Sequence, residues 1–196
     1  MFAHSFAVFN NRLLREAVGV SEAVGDTAGR SGAMHVLGVA YQMAGRLEEA
    51  RTVMSERIAF GRETGNEYLI ATEAGNLSMV ERQLGNLDQA EALSRAAIEI
   101  VSRRGDELAV PWMMNGLAAV TVEQGDLERA AVLNGFAEAG IERAGGEWPP
   151  DERIQFDGTL AKLREGLAPG TLDRARARGA AMSTTESVAF ALDRRG

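Results

Sequence analysis

The sequence contains no cysteine, a single lysine and only 6% aromatic residues. The absence of cysteine excludes disulfides, thiolate metal sites and cysteine nucleophiles, and it is consistent with a reducing cytoplasm. No apolar run reaches the roughly 18–20 residues that a membrane-spanning helix requires. The N-terminal residues lack the basic and apolar regions of a signal peptide. The chain is therefore expected in the cytoplasm, without membrane contact.

Basic charge and catalytic motifs are also missing. The net charge is −7, whereas a protein that binds duplex nucleic acid presents a basic surface to the phosphates. The two histidines, His4 and His35, are too far apart for a His-x-x-x-His metal pair. The sequence has no nucleophile elbow, dinucleotide fingerprint or Walker A motif. We therefore expect no enzyme activity, no metal, no cofactor and no direct nucleic-acid binding. An enzyme that uses carboxylates in a groove is the distant alternative.

The sequence does contain an internal repeat with a period of 40 residues. A hexapeptide that begins with glycine and ends with alanine occurs at Gly45, Gly85 and Gly125. Leucines follow the same period at Leu37, Leu77 and Leu117, as do a second set of glycines at Gly25, Gly65, Gly105 and Gly145. A fixed period of this length is the signature of a solenoid of stacked helical units.

Each unit is predicted to contain two helices, because glycine can adopt the left-handed conformation that ends a helix. Asn86 and Asp126 follow such glycines, where their side chains can cap the next helix. The alanine that ends each hexapeptide lets paired helices approach closely, and the periodic leucines face the core. The pattern predicts an all-α chain, with repeat helices near residues 5–24, 28–44, 47–64, 67–84, 87–104, 110–124 and 127–144.

The C-terminal segment departs from the repeat after Pro149-Pro150. An apolar stripe predicts one helix through Phe156, Leu160, Leu163 and Leu167. A capping-box pattern at Ser183 and Glu186 predicts a last helix, with an inward face formed by Val188, Ala189 and Leu192. Because a terminal repeat needs a cap over its apolar face, this segment is expected to cover the last helix pair.

The chain is thus divided into an orphan helix at residues 1–26, three repeats at 27–146 and a helical cap at 147–196. The cap is locally basic because of Arg174, Arg176, Arg178, Arg194 and Arg195. Contact with nucleic acid is one explanation for these arginines. A solvated helix face is the explanation that we favour.

Two resemblances to known families follow from these residues. The first unit resembles the tetratricopeptide repeat in Leu37-Gly38, Tyr41, Gly45, Leu47 and Ala50. Over residues 27–193 the chain is similar to the repeat region of LuxR-type ATP-binding regulators, which resemble the maltose regulator in design. The residues that carry this second resemblance include Pro149-Pro150, Leu163, Leu167, Gly179, Met182-Ser183 and Ala191-Leu192. The resemblance implies a sensor region, and this chain is expected to lack the family's ATPase and DNA-binding domains.

In tetratricopeptide repeats the first helix of each pair lines a concave groove. Alignment on the repeat gives the groove-binding candidates His35, Gln42, Met79, Arg82, Trp112, Asn115 and Glu123. The same alignment predicts that five further residues face the groove: Val39, Met43, Thr72, Gln83 and Ala119. Trp112 is either an exposed anchor beside Asn115 and Arg82 or a side chain packed against the neighbouring repeat.

These observations support two hypotheses of function. The leading one is a non-catalytic scaffold that binds a protein or peptide partner, or a small effector, as the sensor region of a LuxR-type transcriptional regulator. The alternative is a stand-alone tetratricopeptide adaptor that binds a peptide or small ligand in its concave groove.

Overall fold

The structure is a computed structural model that describes residues 2–193, except for the side chains of residues 2–11, 150 and 151. The described residues form ten helices and no strand. In chain order they are α1 (Phe2–Ala23), α2 (Thr27–Met43), α3 (Leu47–Thr64), α4 (Glu67–Gln83), α5 (Leu87–Arg103), α6 (Ala109–Glu123), α7 (Leu127–Arg143), α8 (Pro150–Gly166), α9 (Pro169–Ala180) and α10 (Thr184–Leu192). The predicted all-α helical-repeat fold is confirmed. No helix among the described residues is long and apolar enough to cross a membrane.

The periodic glycines end the helices as predicted. All seven have positive φ angles, between +64° and +88°, a conformation that carries no steric cost in glycine. The side chain of Asp126 accepts a hydrogen bond from the backbone of Arg129, so it caps α7. The side chain of Asn86 accepts no such capping hydrogen bond in α5, although its φ and ψ angles resemble those of Asp126. The prediction of a side-chain cap at Asn86 is therefore wrong.

The chain forms two compact units, one up to Gly85 and one from Asn86 onward. In the first unit, consecutive helices from α1 to α4 pack on one another. The periodic Leu37, Leu77 and Ala50 are all buried in its core. Gly38 leaves room for Met54, because a Cβ atom at that glycine would lie 3.1 Å from the Met54 side chain. The small residue in the repeat pattern is thus explained by close helix packing.

In the second unit, α6 is the most enclosed helix. Eleven of its 15 residues are buried, and the helix is in contact with α5, α7 and α8. The predicted stripe of α8 faces inward, since Phe156, Leu160 and Leu163 are buried and Leu167 is half-buried. Helix α9 packs on α7. Both α8 and α9 therefore lie against the last repeat pair.

The inward face of α10 differs from the prediction. Ser187 and Ala191 are buried, Val188 and Leu192 are half-buried, and Ala189 is exposed. Small side chains face inward because α10 rests against α5, α6 and α7, where a larger side chain would hold it away. The capping box of Ser183 and Glu186 is present as predicted. Arg194 and Arg195, which were part of the predicted basic end, lie outside the described residues.

Candidate functional site

The first unit contains an open cleft of about 580 Å³ between α2, α3 and α4. Its walls are formed by the N-terminal halves of α2 and α4 and by the C-terminal half of α3. The cleft combines polar side chains with apolar surface that includes two aromatic rings, and the residues that line it are Thr27, Ala28, Ser31, Gly32, His35, Arg57, Phe60, Asn66, Tyr68, Leu69 and Thr72. Tyr68 is 52% exposed, so it offers a large side chain to an incoming molecule.

A buried charged network organises this cleft. The carboxylate of Glu73 is fully buried and accepts a hydrogen bond from Arg57. Arg57 Nε also donates to the main-chain oxygen of Ser31 at 2.9 Å. His35 Nδ1 lies 3.1 Å from Glu73 Oε2. Three helices are therefore linked through one carboxylate. A buried ion pair of this kind adds little net stability, but the loss of one partner leaves an uncompensated charge.

The network also determines the tautomer of His35. The Glu73 carboxylate, paired with Arg57, can only accept hydrogen bonds. The proton of a neutral His35 must then be on Nδ1, and Nε2 remains as an acceptor. The His35 side chain is 36% exposed. His35 can therefore offer a hydrogen-bond acceptor to a molecule in the cleft, while its other nitrogen is held in place.

A second buried carboxylate lies nearby in the first unit. Glu81 is 3% exposed, and Arg51 reaches it with two hydrogen bonds of 2.8 Å each. The hydrogen bond with Glu81 raises the pKa of Arg51 above its ordinary value, although partial burial opposes it. Arg51 also binds Glu48 of its own helix, but Glu81 is 30 residues further along the chain.

The candidates of the first unit are distributed over its surface. His35 lines the cleft, together with Thr72. Gln42, Met79 and Arg82 are half-buried and do not line it. The structure thus brings one of these four binding candidates into the cleft, and it adds aromatic residues that the repeat alignment did not indicate.

Two binding candidates of the second unit, Asn115 and Glu123, contact helix α8 of the C-terminal cap. Asn115 is fully buried, and its amide nitrogen donates to the carboxylate of Glu152 in α8 at 2.7 Å. Glu123 pairs with Lys162 of α8 at 3.1 Å. The prediction that Asn115 lies on an open groove is therefore wrong, because α8 covers it. Ala119, also assigned to the groove, is buried as well.

Trp112 is half-buried, and its indole nitrogen is buried without a hydrogen-bond partner. This environment is closer to the packed alternative than to an exposed anchor, since an indole N–H normally finds a partner at a binding surface.

Most residues that line or organise the cleft were not identified from the sequence, among them Arg57, Phe60, Tyr68 and Glu73. One signal was available for Glu73. It precedes Ala74 and Leu77 on the face of α4 that enters the core, and a carboxylate in such a position requires a cation. The position of Tyr68 in the first turn of α4 gave no comparable signal.

No group of three or more acidic or histidine side chains among the described residues could hold a metal ion. The side chain of His4 is outside that set. The side chains of the cleft can supply hydrogen bonds, aromatic contact and charge.

Comparisons with known proteins agree with this architecture. A crystal structure of BtubC (BKLC) from P. vanneervenii superposes with a TM-score of 0.65 and 24% sequence identity, over 87% of this chain and 72% of that chain. At this identity the likeness shows the fold alone. No curated protein sequence matches the chain. Residues 15–185 match the family described as the MalT-like TPR region. The chain therefore belongs to the MalT-like tetratricopeptide-repeat family.

Proposed function

We propose that this chain is a non-catalytic interaction scaffold and that the cleft of its first unit binds a peptide segment of a partner protein. Tetratricopeptide repeats typically mediate protein–protein interactions, and repeat regions of this kind are generally not catalytic. The observation that carries the proposal is the cleft itself, with Tyr68 exposed at one wall and His35 held by the Glu73–Arg57 pair.

The cleft favours a peptide that combines an apolar side chain with polar main-chain groups. Phe60 and Tyr68 supply aromatic surface, which contributes much of the binding energy at protein interfaces. Ser31, Thr72 and His35 supply hydrogen-bonding groups around them. A cleft volume of about 580 Å³ accommodates one or two side chains and their main chain, within the usual range of ligand pockets, about 300–1,000 Å³.

A phage-displayed library of random dodecapeptides tests this proposal. We expect selection on the full chain to enrich peptides with one large apolar residue. Tyr68→Ala and His35→Ala should each weaken the selected peptide at least tenfold, as measured by fluorescence anisotropy. Val36→Ala is the matched control, because Val36 lies next to His35 on α2, is 50% exposed and does not line the cleft.

The proposal is wrong if the selected peptides bind both cleft variants as tightly as the wild type. It is equally wrong if Val36→Ala weakens binding as much as Tyr68→Ala does. Circular dichroism of each variant separates a loss of binding from a loss of fold.

We further propose that this scaffold serves as the sensor region of a LuxR-type ATP-binding transcriptional regulator. The family match over residues 15–185 and the tail pattern around Pro149-Pro150 support this context. The test is the reading frame around the coding sequence. An in-frame P-loop ATPase segment supports the regulator, whereas an unrelated neighbouring gene supports the stand-alone adaptor.

A further inference from the structure

Three arginines of the second unit line one cavity of about 850 Å³, formed by α7, α9 and α10. They are Arg129 of α7 and Arg174 and Arg178 of α9. Among the described residues, none of the three forms a salt bridge with a carboxylate. Arg174 donates to the hydroxyl of Thr171, and Arg178 lies over the ring of Phe190.

The helix period and one close helix contact bring these arginines together. Arg174 and Arg178 are four residues apart, so they lie on the same face of α9. Arg176, between them, points to the other side and pairs with Glu138 and Asn134. Helix α9 approaches α7 very closely at Gly179, where a Cβ atom would lie 1.9 Å from the main-chain oxygen of Val132. The Arg174–Arg178 face is therefore set beside the N-terminal part of α7.

Arg129 contributes a guanidinium whose donors point to main-chain oxygens instead of carboxylates. Its Nη2 donates to the main-chain oxygens of Phe190 and Asp193 at 2.7 Å each. Burial and the nearby charge of Arg95 lower the pKa of Arg129 below its ordinary value, although the charges of Asp126, Glu91 and Asp193 oppose this shift. A negative charge placed in the cavity would offset both effects.

The remainder of the cavity has two kinds of wall. Two carboxylate residues, Asp126 and Glu128, also line it, and Asp126 is already occupied as the cap of α7. The apolar walls come from Leu127, Val132, Leu167, Ala175 and Phe190. Three cations beside an apolar wall match a molecule that has an anionic end and an apolar body, since guanidinium groups bind carboxylate and phosphate with paired hydrogen bonds.

We infer that this cavity is a binding site for a small organic anion, in which Arg129, Arg174 and Arg178 hold a phosphate or carboxylate and Phe190 contacts the apolar body. The cavity volume of about 850 Å³ is within the range of small-molecule sites, about 300–1,000 Å³. This site is separate from the peptide cleft of the first unit, and it does not depend on the proposed function.

Saturation-transfer NMR and isothermal titration with four probes test the inference on the full chain. The probes are phenyl phosphate, benzoate, inorganic phosphate and benzyl alcohol. We expect phenyl phosphate or benzoate to bind at least tenfold more tightly than benzyl alcohol, and to bind more weakly as salt is added. The tighter of the two anions identifies the natural anionic group as phosphate or carboxylate.

The double variant Arg174→Ala/Arg178→Ala should weaken the better probe at least tenfold. The charge-matched control is Arg153→Ala/Arg164→Ala, which removes two exposed arginines of α8 that do not line the cavity. The inference is overturned if no anionic probe binds the wild type, if benzyl alcohol binds equally well, or if the control variant loses as much affinity as the cavity variant. Circular dichroism confirms that both double variants remain folded.

Discussion

The same repeat position lines an open cleft in the first unit and is buried in the second. His35 and Asn115 are separated by 80 residues, which is two repeat periods. His35 lines an open cleft in the first unit, whereas Asn115 is fully buried in the second and bonded to Glu152 of α8. Repeat position therefore does not decide whether a residue can meet a partner. The deciding factor is whether another helix already occupies that face.

The units also differ in how their first helices are held. In the first unit, two buried carboxylates, Glu73 and Glu81, are paired with arginines of α3. In the second, α6 is enclosed mainly by apolar contacts, with Met114 and Leu117 almost fully buried. The first unit therefore depends on charge pairs whose partners must both be present. The second depends on close packing by its additional helices.

The largest expected effect comes from breaking the buried ion pair of the first unit. Arg57→Ala should lower the free energy of unfolding by about 3–5 kcal/mol, because it leaves the buried Glu73 carboxylate without its cation. Arg62→Ala, an exposed arginine of the same helix, should change stability by less than about 0.5 kcal/mol. Urea unfolding monitored by circular dichroism measures both. An equal loss of unfolding free energy in the two variants would show that the Arg57–Glu73 ion pair has no special importance for the stability of the first unit.

A packing change should perturb the second unit. Gly179→Ala places a methyl group against the main chain of Val132, so we expect a loss of about 3 kcal/mol. Gly158→Ala is the matched control in α8, where nothing lies within 4 Å of the added atom. It should be neutral or stabilising by up to about 1 kcal/mol. If Gly179→Ala is tolerated as well as Gly158→Ala, the close approach of α9 and α7 is incorrect.

The capping box of α10 should have a smaller effect. The Ser183 hydroxyl accepts a hydrogen bond from the backbone N–H of Glu186, and the backbone N–H of Ser183 donates to the Glu186 carboxylate. Replacing Ser183 by alanine should cost about 1 kcal/mol. Hydrogen–deuterium exchange should then show faster exchange in α10 and unchanged protection in α2 to α4. A uniform increase along the chain would contradict a local role.

The smallest expected effect is a dependence of α10 on pH. Hydrogen bonds from the Ser183 side chain and backbone lower the pKa of Glu186. The folded state therefore gains stability above the ordinary glutamate pKa of about 4.3, and this gain is lost as the pH falls through the lowered value. Glu186→Gln should reduce the acid sensitivity of α10 exchange between about pH 5 and pH 3. An unchanged pH profile in the variant would show that the capping box does not determine the pH dependence of α10 exchange.

The sequence predicted the helices well because their ends are determined locally. Gly45 and Gly65 end their helices through their own backbone conformation. A glycine that recurs at a fixed period therefore specifies each turn without any distant contact. The burial of Asn115 was not predictable in this way. It depends on Glu152, which is 37 residues away and belongs to a helix outside the repeat. The Glu73–Arg57 pair was missed because the two residues belong to different helices, although the position of Glu73 on the core face of α4 was a signal that it needs a cation.

The α10 result shows a similar limit. The capping box at Ser183 was correctly predicted from four residues. The inward face was not, because a short helix can be rotated about its axis by the surface it meets. Ser187 and Ala191 face that surface, which a pattern of apolar residues would not select.

The central claim is that partners meet the open cleft of the first unit, whereas α8 covers the corresponding face of the third repeat. The most direct test is a titration of the full ¹⁵N-labelled chain with the peptide selected on it, followed by amide chemical shifts. The account predicts that shifts are concentrated around His35, Phe60 and Tyr68. Shifts concentrated instead on α6 around Trp112 and Asn115 would contradict it.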